Sequence, residues 1–194
     1  MSHRVLEFKI VLIGAVAVGK TAIANVLQFQ AFDPEYQPTI GAGFIPLEKK
    51  INGKNIELQI WDTAGMDQYR SLAPIHYRGA NCAVIVFDQT NPSSADELNV
   101  WLDAYREIVT STSLISIVAN KDDLPNKNVN LKPIREWAEN NNFIFQITSA
   151  KEQRGINELF DIIAKQLVER PDIKPAMRHE RIKQGNTDNK GCSC

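Results

Sequence analysis

The sequence predicts a three-layer α/β fold, with a six-stranded, mostly parallel sheet flanked by about five helices. Apolar runs of strand length alternate with segments of helical periodicity along most of the 194 residues. Glycine-rich or polar turns follow several of the apolar runs, as expected where parallel strands end in loops. Hydrophobic residues make up 43% of the chain, which is enough for a sizeable core.

The elements follow one another in a regular order. Asn52-Gly53 favours a type I′ turn and predicts a hairpin early in the chain. The predicted strands comprise residues 8–13, 44–51, 55–61, 83–87, 114–119 and 143–148. The predicted helices comprise residues 20–28, 94–109, 131–140 and 156–168.

Composition divides the chain and excludes several classes of protein. Residues 171–194 contain few large apolar groups, which predicts a domain over residues 1–170 and a flexible tail after it. The 22 basic and 23 acidic residues nearly cancel, so we expect no nucleic-acid partner. Three cysteines do not form a disulfide framework, and no apolar run reaches the roughly 18–20 residues of a membrane span. We therefore expect a cytosolic location.

Residues 14–21, Gly-Ala-Val-Ala-Val-Gly-Lys-Thr, match the phosphate-binding loop motif between a predicted strand and a predicted helix. Backbone N–H groups of such a loop bind phosphates, and the helix dipole favours their negative charge. Lys20 adds a positive charge, and the Thr21 hydroxyl can bind Mg²⁺. A chance glycine-rich turn is the alternative. The expected phosphate-binding residues are Gly14, Val16, Ala17, Val18, Gly19, Lys20, Thr21 and Ala22. This context predicts a P-loop NTPase fold, without indicating which base is bound.

A second motif indicates the base. Residues 120–123, Asn-Lys-Asp-Asp, follow a predicted strand directly, at the edge of the sheet where doubly wound folds bind ligands. The Asp123 carboxylate can accept two hydrogen bonds from guanine N1–H and N2–H₂, a pair that adenine lacks. Lys121 can lay its stem along the base, and Asn120 can tie the loops together. Ser149, Ala150 and Lys151 follow the next strand, where a backbone N–H can reach the guanine O6. Read alone, residues 120–123 are more typical of a solvated turn, but their place after a strand, downstream of a phosphate loop and ahead of Ser-Ala-Lys, favours base binding.

Two further positions can sense the third phosphate. Asp62 closes a predicted strand and is placed to hold Mg²⁺ through a water molecule, while the nearby Gly65 N–H can meet the γ-phosphate because no side chain intervenes. Thr39, in the loop after the first helix, can supply Mg²⁺ with a second hydroxyl. Asp62, Gly65 and Thr39 indicate a site for the third phosphate only in combination, because each alone is an ordinary turn residue.

Together these motifs resemble the Ras superfamily of small GTPases over roughly residues 7–170. Trp61 before Asp-Thr-Ala-Gly, together with residues 77–80 and 87–91, is similar to the Rab branch, and residues 39–44 and 71–74 to its endosomal subgroup. The resemblance implies a monomeric GTP/GDP switch in vesicle traffic. Its partners would be an exchange factor, an activating protein, effectors, and a dissociation inhibitor or prenylation escort.

The resemblance also implies roles for individual residues. Phe32 would stack on the guanine edge, Tyr36 and Thr39 would belong to the first switch, and residues 62–77 would form the second. The effector face would comprise Ile40, Phe44, Trp61 and His76, with His76 replacing the tyrosine that is usual in Rab proteins.

Cys192 and Cys194 resemble a double geranylgeranylation signal, which would hold the protein on the cytoplasmic face of an intracellular membrane, with the endosome as one candidate. A pair of exposed thiols or half a zinc site is the alternative reading of these two cysteines.

Two positions depart from the catalytic pattern of the family. Met66 stands where a glutamine usually orients the attacking water, and a thioether cannot position that water. Val16 puts a stiff, branched side chain where the family has glycine or serine. The expected catalytic positions are Lys20, Thr39, Gly65 and Met66, and because Met66 and the nearby Val16 depart from the pattern, we predict slow hydrolysis. A GTP-binding scaffold is the main alternative, and a P-loop ATPase or nucleotide kinase fits less well.

Overall fold

The computed structural model describes residues 4–34, 39, 42–65, 73–110 and 112–179. The strands are β1 (Arg4–Ile13), β2 (Ala42–Ile51), β3 (Lys54–Thr63), β4 (Cys82–Asp88), β5 (Leu114–Asn120), β6 (Ile144–Ile147) and β7 (Ala176–His179). The helices are α1 (Lys20–Phe29), α2 (Ala73–Tyr77), α3 (Pro92–Asp96), α4 (Leu98–Ile108), α5 (Leu131–Asn140) and α6 (Ile156–Glu169).

The sheet has the order β2-β3-β1-β4-β5-β6 and is parallel except for β2, which pairs antiparallel with β3, and for the added strand β7. The predicted hairpin turn is present, with positive φ angles of 50° at Asn52 and 77° at Gly53. The predicted α/β fold with a mostly parallel sheet is confirmed. Within the described part of the chain, no helix is both long and apolar enough to cross a membrane.

Alternate residues of the buried strands point into two separate cores. Phe8, Ile10 and Leu12 of β1 belong to the core that contains the apolar faces of α1 and α6. Val11 and Ile13 belong to the other core, which contains side chains of α4 and α5. This alternation is the two-residue period of a strand, and it produces the helix–sheet–helix layering.

The helical segment after β4 begins earlier than predicted and is divided. Instead of one helix near residue 94, α3 starts at Pro92 and α4 starts at Leu98. The fixed φ of proline suits the first position of a helix, which explains the earlier start. The division at Glu97 is slight, because its N–H still bonds to Ser93 O and its carbonyl accepts from Trp101 N.

The prediction of a flexible tail from residue 171 onward is wrong for its first part. Ile173 is only 2% exposed and belongs to a hydrophobic core, and β7 pairs antiparallel with residues 4–7 of β1. β4 pairs with β1 only from Ile10 onward, so the first residues of β1 are not hydrogen-bonded to β4 on that side. β7 pairs with residues 4–7 of β1 along this edge. Asn81 joins the two segments, since it accepts from Lys9 N at 2.8 Å and donates to Lys174 O at 3.1 Å. The sheet therefore has seven strands instead of six.

Candidate nucleotide-binding site

The phosphate loop occupies the turn between β1 and α1, as the motif predicts. Gly14 has a φ of 138°, and a Cβ at this position would lie 2.3 Å from Val86 O of β4. Only glycine fits so close to a neighbouring strand, so this residue sets the path of the loop. Lys20 then begins α1, whose N-terminal end faces the loop.

Lys20 is folded back over the loop that precedes it. Its side chain is 5% exposed, and its ammonium donates to Gly14 O at 2.9 Å and to Ala15 O at 2.7 Å. Burial lowers the pKa of Lys20 to about 8, while the negative charge of Asp62 acts in the opposite direction. Two carbonyl dipoles thus hold a buried cation, and phosphate oxygens are the kind of anion that offsets its desolvation.

The three predicted magnesium ligands lie together. Thr21 Oγ1 is 2.6 Å from Thr39 Oγ1 and donates to Asp62 Oδ2 at 2.7 Å. Asp62 is 4% exposed, and its second oxygen, Oδ1, has no hydrogen-bond partner among the described residues. Burial raises the pKa of this carboxyl group, partly offset by the hydroxyl of Thr21 and the charge of Lys20.

These oxygens fit Mg²⁺. The ion prefers oxygen ligands at about 2.0–2.1 Å in an octahedron, whose adjacent ligands are then about 2.9 Å apart. Thr21 Oγ1 lies 2.6 Å from the Thr39 hydroxyl and 2.7 Å from Asp62 Oδ2, slightly closer than that, as hydrogen-bonded groups are. A divalent cation would also compensate the negative charge of the buried Asp62 carboxylate, whose Oδ1 lacks a hydrogen-bond partner within the residues that the structure describes.

Gly65 approaches the phosphate loop closely. A Cβ at this position would lie 2.5 Å from Lys20 Nζ and 2.6 Å from Ala15 O. The residue after β3 and the loop after β1 therefore share one small space, which a side chain would fill. Glycine at this position leaves the backbone close to the phosphate loop, as the predicted contact of its N–H with a terminal phosphate needs.

The predicted base-binding segments meet the phosphate loop through Asn120. This residue is 1% exposed, donates from Nδ2 to Val18 O at 2.9 Å, and accepts from Thr148 Oγ1 at 3.0 Å. One amide thus holds three loops in register. Sequence analysis expected Asn120 to tie loops together, but it did not identify Thr148 as its partner.

Asp123 and Lys121 are both held by other side chains. The Ser149 hydroxyl donates to Asp123 Oδ1 at 2.6 Å, which orients the carboxylate predicted to recognise guanine. Lys121 has a positive φ of 66°, and its ammonium lies 2.7 Å from Asp88 Oδ2. Burial alone would raise the pKa of Asp88, but hydrogen bonds from Lys121 and Thr90 outweigh it and hold that pKa below its usual value.

Sequence reasoning missed Asp88 as a member of the site. The signal was available, because Asp88 ends a buried strand at the same edge of the sheet as Asn120. It fixes the Lys121 ammonium, so the lysine stem keeps a defined direction beside the base-binding segment.

Other predicted positions differ in exposure. Val16 is 47% exposed and Phe32 37% exposed, so both can reach a ligand. By contrast, the side chain of Val18 is buried in the core, so only its backbone can face a phosphate. Ala17 and Lys151 are exposed, whereas Ala150 is buried and Ala22 is half-buried against the core. The predicted positions Tyr36, Ile40, Met66, Cys192 and Cys194 lie outside the described residues.

Three of the four predicted effector-face side chains, those of Phe44, Trp61 and His76, form a connected surface. Phe44 is 47% exposed and meets the edge of Trp61 at 5.3 Å between ring centroids, and His76 lies 6.1 Å from Trp61. The ammonium of Lys9 lies 4.8 Å from the centre of the Trp61 ring. Burial lowers the pKa of His76, and the nearby charge of Lys9 lowers it further.

Comparison with known proteins agrees with this geometry. The model of the Ras family matches residues 9–169. The chain belongs to the Ras family. Small GTPases of this family bind GTP and GDP and hydrolyse GTP. As a member of the family, this chain is therefore a GTP hydrolase that binds guanine nucleotides.

Three relatives extend the match. The chain is 39% identical to a putative Ras-related protein Rab-5B of Dictyostelium discoideum, over 84% of this chain and 76% of the relative. It is 35% identical to the Ras-related protein Rab-5A of the same organism, over 100% of this chain and 98% of the relative. It is 32% identical to the Ras-like GTP-binding protein RYL2 of Yarrowia lipolytica, over 92% and 90%. The predicted resemblance to a Rab-type small GTPase is confirmed.

Proposed function

We propose that this protein is a Rab-type switch of vesicle traffic that binds GTP and Mg²⁺ and hydrolyses GTP slowly. The observation that supports it best is the position of Thr21 Oγ1, within 2.6–2.7 Å of both Thr39 and Asp62. These two residues come from the loop after α1 and from the end of β3. A metal and a terminal phosphate bound here would therefore order both segments at once, and loss of that phosphate would release them.

In this proposal each group has one task. Thr21, Thr39 and Asp62 hold Mg²⁺, which neutralises charge on the phosphates when it is bound. Lys20 binds phosphate oxygens, and the Gly65 N–H contacts the terminal phosphate. Asp123, oriented by Ser149, accepts hydrogen bonds from guanine; Asn120 and Asp88 position the base-binding loops without touching the reacting atoms.

Base recognition is tested by competition between GTP and ATP. A site built to hydrogen-bond its ligand rejects an analogue without the matching donors by about 10⁴-fold or more. The Asp123→Ala variant should lose that preference, while Asp161→Ala, which removes an exposed carboxylate on α6, should keep it. Equal affinity of the natural protein for GTP and ATP would refute the assignment and favour a different nucleotide enzyme.

Slow hydrolysis rests on Val16 and Met66. The exposed Val16 side chain crowds the space where water attacks, and Met66 cannot orient that water. We expect the Val16→Gly/Met66→Gln variant to hydrolyse bound GTP at least about tenfold faster in a single turnover. Unchanged GTP affinity in the variant would show that the gain lies in the chemical step, and equal rates would contradict these assignments.

The alternative is a GTP-binding scaffold with negligible hydrolysis, and the same two positions favour it. Repeating the single-turnover measurement with a Rab activating protein separates the two functions. Acceleration of the natural protein supports a switch, whereas acceleration of the double variant alone supports a scaffold.

Membrane attachment completes the proposal. Lipids on Cys192 and Cys194 would anchor the protein stably, because two chains bind a bilayer where one is marginal. The Rab-5 relatives favour an endosomal membrane as its location. The expected partners are an exchange factor, an activating protein, effectors, and a dissociation inhibitor or prenylation escort, each acting on a monomer. Mass spectrometry of protein from eukaryotic cells should find both cysteines prenylated, and a Cys192→Ser/Cys194→Ser variant should remain in the soluble fraction.

A further inference from the structure

A cavity of about 330 Å³ lies at the edge of the sheet opposite the nucleotide site. It is lined by Arg106 near the end of α4, Thr112 and Ser113 before β5, Asn142 before β6, and Arg170 after α6. Parallel strands all start at one edge of a sheet, and the base-binding loops follow their other ends. The cavity is therefore separate from the site described above.

The lining of this cavity suits an anion. Two guanidinium groups, two hydroxyls and side-chain amides provide hydrogen-bond donors, and no carboxylate occurs among the lining residues that the structure describes. Guanidinium groups bind phosphate in a bidentate manner, more strongly than neutral donors do. Its volume is at the small end of the range for ligand pockets, which favours a small ligand.

The two arginines have different electrostatic surroundings. Arg106 lies over the Phe143 ring, 5.5 Å from its centre, and makes no ion pair within the described part of the chain. Arg170 is held by Asp172 through two contacts, Nε to Oδ1 at 3.2 Å and Nη2 to Oδ2 at 2.6 Å. Asp172 thus orients Arg170 but offsets its charge. The positive charge of Arg106 is not offset by a carboxylate of any described lining residue, so the cavity carries a net positive charge.

We propose that this cavity binds a phosphate monoester, the group shared by phosphoinositide headgroups and soluble phosphorylated metabolites. Arg106 supplies the charge, while the hydroxyl of Thr112 and the amide of Asn142 donate hydrogen bonds to phosphate oxygens. Arg170 adds a second, weaker cationic contact.

The position of β7 favours a lipid as the carrier of that phosphate. β7 runs antiparallel to β1 and ends opposite Arg4, at the edge of the sheet where the cavity lies. The chain that carries Cys192 and Cys194 therefore starts on the same side as the cavity. This choice of carrier rests on the proposed membrane attachment, whereas phosphate binding itself does not.

Binding is measured with the full, unlipidated chain loaded with GDP and Mg²⁺, so that the nucleotide site is filled. Calorimetry with soluble inositol bisphosphate tests for phosphate binding. Flotation with phosphatidylcholine vesicles tests for the lipid, with added phosphatidylinositol monophosphate compared against phosphatidylserine at equal total charge. We expect binding of both phosphorylated probes, and less binding to the phosphatidylserine vesicles.

Three variants assign the binding to the cavity. Arg106→Gln should weaken it at least about tenfold, because a charged hydrogen-bond donor is lost. Asp172→Asn should strengthen it severalfold by releasing Arg170. The matched control is Arg135→Gln, since Arg135 also lies over a phenylalanine ring, that of Phe145 at 4.7 Å, but does not line the cavity. GDP retention checks that each variant is folded.

The outcomes separate the possibilities. Binding of the soluble probe but not of phosphoinositide vesicles, with loss in Arg106→Gln, supports the phosphate site with a soluble ligand. No binding of either probe would overturn the proposal. Equal losses in Arg106→Gln and Arg135→Gln, or equal binding to both kinds of anionic vesicle, would also overturn it, because general surface charge would then explain the binding.

Discussion

Replacing Asn120 by alanine tests whether one buried amide holds the nucleotide site together. The change removes the donor to Val18 O and the acceptor of Thr148 Oγ1, both in a position that is 1% exposed. A buried polar group left without a partner costs about 1–3 kcal/mol. Asn120→Ala leaves two such groups, the Val18 carbonyl and the Thr148 hydroxyl. Because water that enters the space can form part of the lost hydrogen bonds, we expect the free energy of unfolding to fall by about 2–4 kcal/mol.

Two measurements test this: thermal unfolding of the nucleotide-free protein, and, on a separate folded sample, the dissociation of GDP. For a chain of this size, 2–4 kcal/mol corresponds to a fall in Tm of about 4–16 °C. GDP should also dissociate faster, because the phosphate loop and base loops lose their common contact. The Thr148→Ala variant should show about half of the effect, since it breaks one of the two bonds.

The matched control is Asn128→Ala, which removes an exposed amide that donates to Thr90 O at 3.3 Å. We expect it to change stability by less than about 0.5 kcal/mol, as surface substitutions usually do. Equal Tm values for Asn120→Ala and Asn128→Ala would refute the reasoning, because the buried hydrogen bonds would then contribute nothing measurable.

Three further predictions concern other parts of the molecule. Ile173→Ala should lower the free energy of unfolding by about 2–4 kcal/mol in urea denaturation, because Ile173 is a core residue; a change below about 0.5 kcal/mol would argue against its packing. Gly65→Ala should weaken GTP binding at least about tenfold, since its Cβ would collide with the phosphate loop, whereas Gly43→Ala, with its nearest contact at 3.8 Å, should bind normally. The pKa of His76 is lowered by burial and by Lys9, so the folded state favours the neutral ring; stability should fall as pH drops below about 6.5, and urea denaturation of His76→Phe should show a smaller fall.

Local motifs made much of the site predictable from sequence. The phosphate loop, Asp62, Asn120 and Asp123 each lie at or just after the end of a strand with a strong apolar signal, and a parallel sheet brings those strand ends to one edge. The alternation of strands and helices along the chain predicts a parallel sheet. In such a sheet the loops that carry these motifs lie next to one another, so the site could be predicted as well.

The parts that could not be predicted depend on contacts between distant residues. β7 has only four residues and no apolar alternation, and it exists because β4 leaves the lower edge of β1 open. The pairing of Lys121 with Asp88 likewise arises only when β4 and β5 lie side by side. The position of Asp88 at the end of a buried strand was visible in the sequence, but its pairing with Lys121 and the existence of β7 required the three-dimensional structure.

If Cys192 carries the proposed lipid, strand β7 also shortens the segment that joins the folded domain to the bilayer. Had the chain left the body at residue 170, Cys192 would follow after 22 residues, a reach of at most about 75 Å at the fully extended spacing of about 3.4 Å per residue. Departure after His179 leaves 13 residues and about 45 Å. Under the same proposal, a partner that released β7 from β1 would raise the greatest distance between the folded domain and the membrane from about 45 Å to about 75 Å, so the pairing of β7 limits how far the domain can extend.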